Sequence, residues 1–303
     1  MRQTDVAGNT GPASSLGAVT VDAAASAPTA ALSTDSGLAG DNVTNDGSVV
    51  VSGLEPGASF EYSTDGGSTW QQGTGSGFTL AEGTYTGVQV RQTDAAGNVS
   101  PVFSLGAVTV DATIAPPTVA LASDTGTPGD GLTSDGTVTV GGLEPGATWE
   151  YSLDGGATWT TGSGGSFELA DGTYSGVQVR STDVAGNVSA PAALGPVTVV
   201  TGPAGDLTLA LETDTGASGA DGVTSDGTVL VGGLAPGATY EYSTDGGLTW
   251  QPGAGSSFEL AEGTYSDVQV RQVDGAGNTG APTSLGAVTV DTSGAPTRRC
   301  RRW

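Results

Sequence analysis

The sequence predicts an all-β chain built of tandem seven-stranded β-sandwich modules arranged as an extended rod, and three observations carry that prediction. A hairpin segment of the form Tyr-Ser-x-Asp-Gly-Gly-x-Thr-Trp recurs at 62–70, 151–159 and 242–250, which puts Trp70, Trp159 and Trp250 at intervals of 89 and 91 residues. A second segment, Asp-x-Ala-Gly-Asn, opens at Asp5, Asp94, Asp183 and Asp274, at intervals of 89, 89 and 91. Between these markers lie short β-branched runs bounded by Gly, Pro, Asn and Asp, with no helical period. Length alone suggests about two domains, but a repeat overrides that prior. The chain divides into a C-terminal module fragment at 1–28, complete modules at 29–117, 118–206 and 207–296, and a basic tail at 297–303.

In the first complete module the runs at 29–34, 48–54, 59–64, 68–72, 77–81, 87–93 and 105–111 read as seven strands. Period-two alternation turns Val49 with Val51, and Val88 with Val90, toward one face, leaving Gln89 and Arg91 for solvent. Phe60, Tyr62, Trp70, Phe78 and Leu80 are the expected filling between two sheets. Tyr85, repeated as Tyr174 and Tyr265, sits where immunoglobulin-like sandwiches carry a corner tyrosine. The usual cysteine pair is missing, and the tryptophan follows a turn instead of lying on the central strand.

Composition narrows the function. The chain carries 32 acidic and 8 basic residues, a net charge of −24, and every basic residue is an arginine. Arg298, Arg299, Arg301 and Arg302 belong to the tail, so the body meets its acids with four arginines. Such a surface repels phosphate backbones and anionic lipids and attracts cations. Nucleic-acid binding and membrane insertion are therefore not expected; no apolar stretch nears the roughly 20 residues of a membrane span. Fifty-two glycines with high acidity can also signal disorder, but aromatic and aliphatic residues return at fixed places in every period. A module of this size buries only about 60–65% of its unfolded surface, and Cys300 is the single cysteine. Stability must lean on something other than a disulfide. The chain opens inside a strand, Met1-Arg2-Gln3-Thr4-Asp5 standing where Val90-Arg91-Gln92-Thr93-Asp94 stands later. A truncated segment is expected, with its export signal elsewhere.

Taken together, Asp-Thr-Gly, Asp-Gly-x-Thr-Ser-Asp-Gly-Thr-Val, Gly-Leu-Glu-Pro-Gly-Ala-x-Trp-Glu-Tyr-Ser, Gly-Thr-Tyr and Val-Arg-x-Thr-Asp-x-Ala-Gly-Asn resemble the bacterial Ig-like repeats of giant type I-secreted (RTX or biofilm-associated) adhesins, over nearly the whole chain. The resemblance implies Ig-like sandwiches in an extracellular stalk at a bacterial cell surface. It further implies that the stalk binds calcium and holds an adhesive tip away from the cell.

If the strands follow Ig order, one pole of the first complete module gathers Asp35, Asp41, Asp46, Asp65, Glu82 and Asp111. The next module brings Glu144, Asp183 and Asn187 to the same junction. One arginine per module cannot neutralise such a group, whereas Ca2+ accepts six to eight oxygens at about 2.4 Å in irregular geometry. The expected ligands are Asp111, Asp183 and Asn187, with Glu144 or an acid of the loop containing Asp124 and Asp130. The equivalents are Asp22, Asp94 and Asn98 at the first junction, and Asp274 and Asn278 at the third. There Val200 replaces Asp111, and Asp206 is the nearby substitute. Asp46-Gly47, Asp135-Gly136 and Asp226-Gly227 are open between ligand and simple turn.

Two other classes compete with the spacer. The hairpin Ser63-Thr-Asp65-Gly-Gly67-Ser-Thr69-Trp70 also resembles the Asp-box of sialidases, making glycoside hydrolysis the enzyme alternative. That chemistry wants several arginines converging on one carboxylate, and each module has one. There is no histidine for a triad or a zinc site, and paired acids such as Glu61 with Glu82 recur in structural positions, so no enzyme is expected. Direct adhesion to a glycan, ice or a host protein would call for exposed aromatics, and the one extra tryptophan, Trp149, replaces Phe60 and Tyr240 at an expected core position.

Overall fold

A computed structural model describes residues 1–293; the predicted tail at 297–303, Cys300 included, lies outside the described residues. The chain separates into two compact units, one of Met1–Ala115 with Glu144–Ala147 and Thr182–Ser189, the other of Pro116–Leu143, Thr148–Ser181 and Ala190–Trp303.

In the first unit, residues 1–28 form no strand and close only one isolated bridge, Thr4 with Thr10. The sandwich that follows has β1 (Thr29–Leu32), β2 (Val43–Thr44), β3 (Ser48–Ser52), β4 (Ser59–Ser63), β5 (Gln71–Gln72), β6 (Gly77–Thr79), β7 (Gly83–Thr93) and β8 (Phe103–Val110). One sheet runs β1-β3-β6 and the other β2-β8-β7-β4-β5. Eight strands replace the predicted seven because the chain leaves β1, crosses to the second sheet and adds Val43 and Thr44 parallel to Thr109 and Val110. Alternation holds in β3, where Val49 and Val51 are buried and Val50 faces out. It also holds in β7, whose Val88 and Val90 are fully enclosed. Their cluster includes Ala30, Phe60, Leu80, Val108 and Val110, with Tyr62 stacked on Phe78 at 4.0 Å. The Tyr85 hydroxyl donates to the Ala81 carbonyl at 2.9 Å and pins the start of β7.

Trp70 departs from expectation. The strand predicted over 68–72 shortens to its last two residues, so Trp70 leaves the core for the face of the sheet. There it lies under the Arg91 guanidinium, 4.1 Å from the ring centroid, and donates Nε1–H to the Gly67 carbonyl.

The second unit repeats this plan twice. Its first sandwich holds β9 (Thr118–Leu121), β10 (Leu132–Thr133), β11 (Thr137–Gly141), β12 (Thr148–Ser152), β13 (Thr160–Thr161), β14 (Ser166–Glu168), β15 (Gly172–Tyr174), β16 (Gln178–Thr182), β17 (Ala192–Ala193) and β18 (Val197–Val199). Its second holds β19 (Thr208–Leu211), β20 (Val223–Thr224), β21 (Thr228–Gly232), β22 (Thr239–Ser243), β23 (Gln251–Gly253), β24 (Ser257–Glu259), β25 (Gly263–Val273) and β26 (Thr283–Val290). The five-stranded sheet β20-β26-β25-β22-β23 matches that of the first unit. In the sandwich of 118–206 the same sheet splits into β13-β12-β16-β17 and β10-β18-β15. Pro196 stands where the others have Ala107 and Ala287, and a proline has no N–H to give the ladder.

The central ring is Phe60, Trp149 or Tyr240, each nearly sealed. Trp149 donates Nε1–H to the Gly164 carbonyl at 3.0 Å, and the Tyr240 hydroxyl donates to that of Ser257 at 2.8 Å, so each larger ring brings a partner for its polar atom. Gly73, Gly162 and Gly253 lie flat against these rings, and a methyl on any of them would occupy the ring's own volume. Gly162→Ala is expected to destabilise the sandwich of 118–206 by about 1–3 kcal/mol through overpacking, read as one shifted transition in thermal unfolding of the full chain. An exposed control without a positive φ, Gly195→Ala, should move it less.

Candidate metal centres at the repeat junctions

The Asp-x-Ala-Gly-Asn loop is a closed unit before any ligand is considered. In 94–98 the Asp94 Oδ1 accepts the amides of Ala96 and Asn98, both at 2.8 Å, and Oδ2 accepts the Asn98 side-chain amide at 2.7 Å. Gly97 takes φ of +94°, the left-handed step that closes the turn. These hydrogen bonds, the Asn98 side chain first, hold the buried Asp94 carboxyl below its usual range against the opposing effect of burial. Asp183 with Asn187 and Asp274 with Asn278 repeat the hydrogen bonds to the asparagine amide and side chain.

The asparagine of each loop also reaches back along the chain. Asn98 donates to the Asp22 carbonyl at 3.1 Å, Asn187 to that of Asp111 at 2.8 Å and Asn278 to that of Val200 at 2.6 Å. This clamp uses the main chain, so it survives the change from Asp111 to Val200.

Side chains then separate the junctions. Carboxylate oxygens of Asp22, Glu55 and Asp94 lie within 4.8 Å of one another, as do those of Asp111, Glu144 and Asp183. Glu55 and Glu144 both come from the Gly-Leu-Glu-Pro-Gly turn, where Glu55 Oε1 also accepts the Ser26 amide at 2.8 Å. Beside it the fully buried Gln92 accepts the Glu55 amide and donates to the Ser26 carbonyl, fixing the connecting segment from within. Glu55 was absent from the sequence expectation although the turn repeats; its likeness to Glu144 is the signal that would have found it. At the third junction Val200 and Ala235 take the places of two acids, leaving Asp274 with Asn278, and Asp206 is exposed and joins no such group.

Asp124 and Asp130 belong to neither carboxylate group. Asp124 Oδ2 accepts the Gly129 amide at 2.6 Å, and Asp130 Oδ1 that of Leu132 at 2.8 Å, within their own loop. The choice left open at the second junction thus falls to Glu144. Asp46, Asp135 and Asp226 each accept the amide two residues on and cap a turn. The residues following Asp35 and Asp124 do something the sequence did not reveal. Ser36 Oγ donates to the Ala185 carbonyl at 2.6 Å and Thr125 Oγ1 to that of Ala276 at 2.5 Å, so each Asp-[Ser/Thr]-Gly turn seats the next Asp-x-Ala-Gly-Asn loop.

A trio of carboxylates needs a cation or protons. The ion pairs among the described residues are Arg91–Glu61, Arg180–Glu150 and Arg271–Glu241, with N–O distances of 2.7–2.8 Å. Each of these arginines also covers its own tryptophan, at 4.1–4.2 Å. Among the described residues no ion pair involves a member of either trio. Three carboxylates and neighbouring carbonyls are a hard, oxygen-only donor set, which fits calcium and not a soft metal.

The tryptophan hairpins are built from hydroxyls and one acid. Asp65 Oδ1 accepts the Thr69 amide and the Ser63 hydroxyl, and Oδ2 accepts the Thr69 hydroxyl at 2.7 Å. Residues 61–72 and 241–252 match the BNR/Asp-box repeat family, and the hairpin around Asp154 has the same bonds. No curated protein matches the sequence. Among solved structures the chain is similar to one described as fibronectin(III)-like modules of Clostridium thermocellum CbhA, with 14% identity and a TM-score of 0.36 over 57% of this chain and 94% of that one. The protein is a series of repeated β-sandwich modules, two of whose hairpins match the Asp-box repeat.

The Thr69 hydroxyl, its amide and the Ser63 hydroxyl lower the Asp65 pKa from 3.8 to about 2, and Asp154 and Asp245 are lowered likewise. A carboxyl depressed by folding contributes stability above its unfolded pKa and loses it as pH falls through the folded one. Acid titration of the melting temperature should therefore show a decline between about pH 4 and pH 2. Replacing all three aspartates with Asn should flatten that decline.

Proposed function

We propose that this chain is a spacer segment of a bacterial surface adhesin, working outside the cell, whose first and second junctions are stiffened by calcium. The observation that carries the reading is the pair of carboxylate trios, Asp22–Glu55–Asp94 and Asp111–Glu144–Asp183. Each trio draws one acid from the end of a strand or connector and two from loops of the following repeat. A cation there would tie the three together, and the asparagine clamp already brings them to the same place. Repetition supports the spacer role, since a catalytic or recognition site has no reason to recur in each copy while a junction does.

The competing readings lack a comparable observation. Trp149 is buried and Trp70, Trp159 and Trp250 are each covered by an arginine, which leaves no aromatic platform in those positions for a glycan or ice face. The arginines that a sialidase-like reaction would need are each paired with a glutamate of their own repeat.

Calcium titration by calorimetry on the full chain tests the proposal. Glu55→Gln with Glu144→Gln keeps an acceptor for each connecting segment while removing two charges, and should weaken two calcium sites by about tenfold or more, about 1.4 kcal/mol each. Val200→Asp with Ala235→Glu should add one site at the third junction. Unchanged binding in both variants would remove the reading. In wild type, calcium at a hundredfold excess over Kd should raise stability by about 2.7 kcal/mol per linked transition.

A further inference from the structure

At the second junction the Ser36 hydroxyl donates to the Ala185 carbonyl at 2.6 Å, while Asn187 Nδ2 donates to the Asp111 carbonyl at 2.8 Å. At the third, the Thr125 hydroxyl donates to the Ala276 carbonyl at 2.5 Å and Asn278 Nδ2 to that of Val200 at 2.6 Å. One Asp-x-Ala-Gly-Asn loop thus accepts a hydroxyl from an Asp-[Ser/Thr]-Gly turn and donates an amide to the residue after the last strand of the same sandwich. The fit is close. Gly37 and Gly126 take φ of +73° and +75°, and a methyl on either would stand 2.1 Å from the carbonyl oxygen of Val184 or Gly275. Ala185 and Ala276 are sealed, at 0% and 1% exposure.

The loop at 5–9 is the same segment without a seat. Asp5-Val-Ala-Gly-Asn9 is identical in sequence to 183–187, and it is already closed. Asp5 Oδ1 accepts the amides of Ala7 and Asn9, Oδ2 accepts the Asn9 side chain at 3.0 Å, and Gly8 has the left-handed φ of +83°. Yet Ala7 is exposed. The second N–H of the side-chain amide, which Asn98, Asn187 and Asn278 all give to a carbonyl further back in the chain, is unclaimed in Asn9. The sandwich that begins at β19 offers the complement. Its Asp214-Thr215-Gly216 turn repeats Asp124-Thr125-Gly126, and the Ser225 amide donates to Thr215 Oγ1 at 2.7 Å as the Ser134 amide does to Thr125 Oγ1 at 2.6 Å. With no loop seated, the Thr215 hydroxyl donates to Ser225 Oγ at 3.0 Å. Gly216 lies outside the left-handed region, in a turn one residue longer than its counterparts, and glycine enters that region at little steric cost. Asp291 follows β26 as Asp111 follows β8, and each donates its amide at 2.9 Å to the threonine of the parallel strand.

We propose that a second copy of this chain supplies the missing half, the 5–9 loop of one copy occupying the Asp214-Thr215-Gly216 turn and reaching the Asp291 carbonyl of the next. The Thr215 hydroxyl then turns to the Ala7 carbonyl, and Asn9 bonds Asp291 as Asn187 bonds Asp111. Such a contact is heterologous, so it adds copies head to tail instead of stopping at a symmetric pair. It is small and has no tether of the kind that holds successive repeats together, which makes it weak. Each copy carries a charge of −24, and salt that screens this repulsion strengthens the contact. The proposal does not rest on calcium, because the third junction makes the same hydroxyl and amide bonds without a carboxylate trio.

Analytical ultracentrifugation of the full chain in chelator and about 0.5 M salt, from about 10 µM to about 1 mM, tests this. The average mass of wild type should rise with concentration past that of a dimer. Ala7→Gln places a longer side chain where the seated loops bury an alanine, and Thr215→Val removes the donating hydroxyl. Each variant alone should stay monomeric. An equal mixture of the two should form dimers and nothing larger, since the first keeps the turn and the second keeps the loop. Ala7 lies outside the sandwiches, so Ala7→Gln alone remains decisive if Thr215→Val shifts an unfolding transition. Association of Ala7→Gln as strong as that of wild type would overturn the proposal. So would a wild type that stays monomeric throughout, which would leave the turn to a loop of another protein.

Discussion

Each complete repeat contains one arginine within its sandwich, and that guanidinium is already spent. It pairs with a glutamate across neighbouring strands and covers the hairpin tryptophan. Because the arginine and glutamate are about one-third exposed, the pair itself adds little stability. Its consequence lies elsewhere. With the local cations committed to the sheet face, the carboxylates at the poles have hydrogen bonds and solvent as their means of relief. The hairpin and turn aspartates are satisfied by hydroxyls and amides. The junction trios accept amides as well, but each brings three carboxylates within 4.8 Å of one another, and there an external cation has something to neutralise.

Two layers of order meet at each junction. The main-chain clamp made by Asn98, Asn187 and Asn278 is indifferent to the side chain it reaches over, so it is present three times. The carboxylate trio depends on two further side chains and is present twice. Val200 and Ala235 leave one junction without the carboxylate group while it keeps the clamp. Under the proposed calcium reading, junctions of different calcium dependence would share one fold.

The sandwich was largely legible from sequence because its signals are local. Alternating valines placed β3 and β7, and the repeated aromatics placed the central ring. Trp70 was misplaced because alternation was extended through a turn that ends only at Gln71, where the side chain's direction is set by the hairpin and not by a strand. Glu55 was missed for a related reason. Nothing in 53–57 says which loop it will face, and only the return of the chain from Ser26 puts it beside Asp94. Asp124 and Asp130, the alternatives to Glu144, hydrogen-bond within their own loop, since acids near in sequence to a junction need not face it. The crossing between sheets leaves a mark on the sequence, the Asp-[Ser/Thr]-Gly turn, but its meaning depends on a contact made more than a hundred residues away.

The central claim, that calcium acts at the first two junctions and not at the third, is tested most directly by native-state hydrogen exchange of the full chain with calcium and with chelator. The account predicts that calcium slows exchange in the loops at 94–98 and 183–187 and leaves 274–278 close to its chelated rate. Equal protection of all three loops, or no change in any of them, would contradict it.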